Sequence, residues 1–119
     1  RQYFTGRGAF RGWSEDSLSD YIQHGLRRDE RGHYQLLCPP SMEAAIFASY
    51  PVLLWQHFRR LSVPTTIVVG KDTFSFFHQA YRHAARLNPN IRLHTVAGGH
   101  CFMQERPVET AQLIRSLLL

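Results

Sequence analysis

Lysine is almost absent. Lys71 is the only one, and arginine carries the rest of the positive charge behind a formal net +5 at neutral pH. The arginines do not cluster: Arg7, Arg27, Arg59, Arg82, Arg106 and Arg115 mark how evenly they spread. A nucleic-acid face needs basic residues gathered together and interleaved with exposed aromatics, so nucleic acid is not an expected partner. Cysteine is scarce as well. Cys38 and Cys101 allow one disulfide at most, too few for a disulfide-stapled secreted scaffold, and no compartment follows from them. Long apolar runs are missing: none approaches the roughly 20 residues of a bilayer span, and no charged-then-apolar leader opens the sequence. The chain reads as soluble, with no membrane span. Metal-ligand spacing is also lacking. Among seven histidines, His78 and His83 lie five apart, off the shared face that i, i+4 ligands use, so neither a metal nor a cofactor is expected.

What is present is enough for a core. Of 119 residues, 44% are hydrophobic and 13% aromatic, which argues against wholesale disorder and for one domain or part of one. The sequence starts at Arg1 and stops on Leu117, Leu118 and Leu119, and both ends are expected to be cuts in a longer protein. Its character changes near Leu61. Residues 1–60 read as helices and loops. Trp13-Ser14 followed by Leu18, Tyr21 and Ile22 has helical spacing, with Ser14 as N-cap, Trp13 stapled to Leu18 and Gly25 closing the helix in the left-handed conformation. Arg27 to Gly32 reads as a charged turn and Tyr34 to Cys38 as a short extended piece. A second helix opens at Ser41 and resumes after Pro51. Such helices have no strand partner of their own and must pack on something else.

Residues 61–119 have a stricter grammar. Thr65 to Val69 is a β-branched run between Pro64 and Gly70, expected of a strand buried on both faces. Phe77, Ala80, Tyr81, Ala84 and Leu87 form one helical stripe that ends at Asn88-Pro89. Ile91 to Val96 is a second strand. Pro107 opens a last helix with the stripe Val108, Ala111, Ile114, Leu117 and Leu118. A helix between two short strands is a βαβ crossover, so the strands should be parallel and end on one edge. Just past those ends stand Asp72 and His100, which should meet there although 28 positions apart. A carboxylate accepting from Nδ1 of a histidine leaves Nε2 free to take a proton from a nucleophile. Two plainer roles compete: Asp72 as a helix N-cap, and His100 as a turn residue among glycines.

Leu61 to Asp72 resembles the strand-and-acid segment of the α/β-hydrolases, and Gly98-Gly99-His100 with Glu105-Arg106-Pro107 resembles their histidine loop and last helix. Tyr21 to Leu26, Leu36 to Pro40 and Glu43 to Ile46 are similar to the lid of small esterase-like members. The resemblance implies an α/β fold of the C-terminal portion of an α/β-hydrolase: two parallel strands with crossover helices in residues 61–119, plus helical lid segments in residues 1–60. It implies His100 as base then acid, Asp72 as orienter, and an ester or similar small acyl substrate, which aromatic lid residues such as Trp13, Tyr21, Phe47 and Trp55 favour as mostly apolar. It also departs from the family. Asp72 is two residues after Gly70, where the commonest pattern has its acid three or four after, and some members carry the acid after the preceding strand. The nucleophile elbow, G-x-S-x-G at a strand-to-helix turn, does not occur; Gly12-Trp13-Ser14 lacks the second glycine and the strand. Ser14, Ser41 and Ser75 are read as helix starts. Cys101 beside His100 is read as a small semi-buried thiol rather than a nucleophile.

The expectation is therefore a serine esterase-like hydrolase fragment, inactive without an N-terminal remainder that is its partner, with Phe74, Trp13 and Trp55 lining the substrate site. Two rivals stay open. One is an aspartate nucleophile, as in epoxide hydrolases and haloalkane dehalogenases of the same fold. The other is a catalytically dead relative that serves as an interaction module.

Overall fold

The computed structural model describes residues 2–119 and divides into two compact units, the first up to Val52 and the second over Leu53–Leu119. The first unit opens with a 3-10 turn, Gly8–Phe10, followed by helix α1, Glu15–Gly25. Ser14 caps α1 as its sequence suggests, its hydroxyl accepting from the Ser17 amide at 3.2 Å. Trp13 packs edge-on against Phe10 and Tyr21, with ring centroids 4.9 and 5.9 Å away. Phe4 joins this group through Phe10 and Tyr21, and Leu18 is buried. Gly25 does not close the helix through a positive φ. The chain instead passes straight from Gly25 into an extended strand, and a Cβ at Gly25 would press on the Tyr21 ring at 3.2 Å.

That strand corrects the expectation of helices and loops alone. β1, Leu26–Arg28, pairs antiparallel with β2, Tyr34–Leu36, in the register Leu26 to Leu36 and Arg28 to Tyr34. The turn between them is built by one side chain. Asp29 accepts from the Arg31 amide at 2.9 Å, the His33 amide at 2.8 Å and Gln35 Nε2 at 3.2 Å. These donors favour the charged form, the His33 amide most, and hold the Asp29 carboxyl below its ordinary value. A depressed carboxyl lends its support above the usual carboxylate range and withdraws it as pH falls through the lowered value. Acidification is thus expected to release the Arg31 and His33 amides to solvent, and Asp29→Ala to release them at neutral pH. Hydrogen exchange at those two amides checks both, and unchanged protection in the variant would reject the role given to Asp29. Helix α2, Pro40–Ala48, completes the unit; it begins with Pro40 at its first position rather than with Ser41 as cap.

The second unit runs α3 (Leu54–Arg60), β3 (Thr65–Gly70), α4 (Ser75–Leu87), β4 (Ile91–Val96), a short α5 (Phe102–Glu105) and α6 (Pro107–Leu118). β3 and β4 are parallel and in register from Thr65 with Ile91 to Gly70 with Val96, as the crossover requires. Val69, Ala84 and Ile91 form its buried centre with Phe102. Asn88, also buried, donates through Nδ2 to the carbonyls of Phe58 and Leu61, both at 2.7 Å, and so ties α3 to the start of β3. α6 turns the other way from its sequence stripe. Pro107, Thr110 and Leu113 are half-buried, while Val108, Ala111, Ile114, Leu117 and Leu118 are exposed. β3 is not buried on both faces either: Thr66 is exposed and Ile67 and Val68 half-buried. Among the described residues no helix is long and apolar enough to cross a membrane.

Candidate active site

The parallel pairing brings the C-terminal ends of β3 and β4 to one edge, and the backbone continues the ladder past them. The Lys71 amide donates to Val96 O at 2.8 Å and the Asp72 amide to Gly98 O at 2.9 Å. Gly70 is where the two loops touch. A Cβ there would lie 2.0 Å from the Gly99 carbonyl oxygen, so only glycine permits this approach. Gly98 has φ +121°, which lets β4 break sharply into the loop that carries His100. The loop is clamped from beyond: Glu105, the last residue of α5, accepts from the Gly99 amide at 2.9 and 3.2 Å. Buried Phe102 anchors the same short helix.

His100 is held on two sides. Its ring stacks on Phe77 at 4.7 Å and 15°, with Phe74 tilted at 5.7 Å. Its Nδ1 lies 3.0 Å from Thr73 Oγ1, and Nε2 has no hydrogen-bond partner among the described residues. The sequence places Asp72 at Nδ1; in this structure the contact belongs to Thr73. The reason is local. The Asp72 amide is committed to Gly98, and the Thr73 amide turns back to Gly70 O at 3.2 Å. His78 Nε2 steadies the turn by donating to the Lys71 carbonyl at 3.1 Å. That turn carries the Thr73 side chain to His100, while Asp72 stays exposed with no side-chain hydrogen bond among the described residues. Nor is Asp72 the cap of the next helix, since Phe74 holds the N-cap position of α4.

The remaining expected residues are spread out. Phe74 is 59% exposed beside His100 and stacks on Phe76 at 5.6 Å. Trp55 packs edge-on against His83 at 4.7 Å, nearly two turns along α4 from Phe77. Trp13 belongs to the aromatic group of the first unit. Cys101 is a half-buried free thiol at the start of α5. A cavity of about 230 Å³ opens beside the histidine, lined by Gly70, Thr73, His100, Cys101, Met103 and Gln104 among others. Gln104 Oε1 is buried with no donor among the described residues. No cluster of histidine, cysteine, aspartate or glutamate suited to a metal ion occurs among them. Sequence reasoning missed Thr73, the Phe77 stack and the His78 brace. A signal for Thr73 did exist: it is the third residue after Gly70, the spacing at which the resembled family commonly has its acid.

No family model matches the chain, and no curated protein matches it. Among solved structures it is similar to E-2-(acetamidomethylene)succinate hydrolase, with a TM-score of 0.79 and 21% identity over 98% of this chain and 43% of that one. At that identity the likeness is one of fold. The chain has the fold of the C-terminal part of an α/β-hydrolase, and it spans less than half the length of that structure.

Proposed function

We propose that residues 61–119 supply the histidine arm of a serine esterase-like hydrolase that acts on small, mostly apolar acyl substrates. One observation carries the reading: an imidazole at the C-terminal edge of a parallel strand pair is fixed in plane by Phe77 and at Nδ1 by Thr73, with Nε2 left open. An imidazole so held is ready to take a proton from a hydroxyl nucleophile and return it to the leaving alcohol. For Asp72 to orient it, the carboxylate would have to displace the Thr73 hydroxyl. The exposed face of Phe74 beside the ring, with exposed Phe76 stacked on Phe74, favours an apolar acyl group.

The nucleophile and oxyanion donors come, in this reading, from an N-terminal remainder of the same protein. Three features support that partner. β3 pairs only with β4 among the described residues, the apolar stripe of α6 is exposed, and Gln104 Oε1 lacks a donor beside the His100 cavity. The reading is tested with a fluorophosphonate probe, which captures activated serines. The natural full-length protein is expected to be labelled, and the 119-residue chain alone is not. Labelling of the isolated chain, or ester turnover by a full-length protein that resists the probe, would overturn it; the second outcome would favour an aspartate nucleophile.

A further inference from the structure

We propose that the Thr73 hydroxyl is the positioning group of His100, accepting the Nδ1–H of the tautomer whose Nε2 is the base, and that Asp72 does not hold this place. The inference rests on His100 being the proton carrier. Three independent restraints converge on the contact. The first is the distance of 3.0 Å between Thr73 Oγ1 and His100 Nδ1. The second is the backbone: the Asp72 amide is bonded to Gly98 O, the Thr73 amide to Gly70 O, and the Lys71 carbonyl to His78 Nε2. With Gly70 packed against Gly99, this turn fixes which residue faces the histidine. The third is the Phe77 stack at 4.7 Å and 15°, which fixes the plane in which the His100 ring meets Thr73.

A hydroxyl and a carboxylate do different work here. The carboxylate is acceptor-only, so it fixes the tautomer and forms a charge-assisted bond with the imidazolium. The hydroxyl can accept from Nδ1–H in the neutral ring and in the cation alike, but it carries no charge of its own and so stabilises the imidazolium less than a carboxylate would. Thr73 thus orients His100 without supplying negative charge. The arrangement favours aim over charge compensation.

The test uses the natural full-length protein with Thr73→Val, Thr73→Ser and Asp72→Asn. Valine keeps the shape of threonine and removes the hydroxyl; serine keeps the hydroxyl. Nitrogen NMR of the neutral His100 ring reports which nitrogen carries the proton, and turnover of a chromogenic ester reports the consequence. The wild type is expected to be mainly Nδ1–H. Thr73→Val should lose that preference and lower kcat about tenfold, the worth of one neutral hydrogen bond, with KM little changed. Thr73→Ser should restore both, and Asp72→Asn should leave the Nδ1–H population where it was. Retention of Nδ1–H in Thr73→Val, or its loss in Asp72→Asn, would overturn the assignment. If the protein turned over no ester, the hydrolase reading would fail while the NMR still decided Thr73. If turnover needed His100 yet Thr73→Val kept its tautomer, Thr73 would fail and the hydrolase reading would stand.

Discussion

His100→Ala in the natural full-length protein is expected to reduce turnover of a chromogenic ester at least ~10⁴-fold, with KM and melting temperature close to wild type. The size follows from the lack of a substitute. His78 is committed through Nε2 to the Lys71 carbonyl, and His83 lies against Trp55 away from the strand ends. Among the described residues no other imidazole borders the cavity that His100 lines. The small effect on stability follows from exposure: the His100 ring rests on Phe77 and Phe74 at the surface, and its removal opens no cavity in the core. Turnover within tenfold of wild type would move the proton carrier to another residue and end the proposed role of this loop.

Gly70→Ala is expected to act on both stability and rate. The new methyl would start 2.0 Å from the Gly99 oxygen and 2.8 Å from the Gly98 oxygen, both backbone atoms that no rotamer change can move. Either the strand end or the histidine loop must give way. Overpacking of this kind costs about 3 kcal/mol, read as a lower unfolding midpoint. The loop that yields carries His100, and a displacement near 1 Å costs roughly 100-fold in kcat. The two effects share one cause, so they should appear together. An alanine variant with wild-type midpoint and rate would show that the loops are not pressed together at Gly70.

The parts of the fold that obey a single period were legible in the sequence. Thr65 to Gly70 and Ile91 to Val96 are β-branched runs between turn residues, and the Phe77 to Leu87 stripe has one helical face, so β3, α4 and β4 follow directly. The hairpin of the first unit was only half legible: Tyr34 to Cys38 reads as extended, but Leu26-Arg27-Arg28 carries too little apolar alternation to signal its partner strand. Their turn is made by Asp29 reaching residues two, four and six positions on, a side-chain effect that periodicity does not register. The stripe of α6 was read correctly as apolar, but its direction depends on what the helix packs against. At the site, the shared edge was foreseeable from the parallel strands, whereas His100 was singled out by the resemblance of Gly98-Gly99-His100 to a family's histidine loop and not by its glycines alone. Which of two adjacent loop residues reaches the histidine is decided by the Gly70–Thr73 turn and the Gly98 carbonyl. That choice is made between loops far apart in sequence.

The Asn88 amide also decides where this polypeptide can be divided. A gene truncated to begin at Leu61, where the sequence changes character, would discard the Phe58 carbonyl and the face of Trp55 that covers His83. Asn88 would then lose one of its two acceptors together with the helix that supplies it, and the tie between that helix and the start of β3 would be gone. A truncation beginning at Leu53 keeps both acceptors. The practical seam for subcloning the histidine-bearing half thus lies just before Leu53, eight residues ahead of the place that composition suggests.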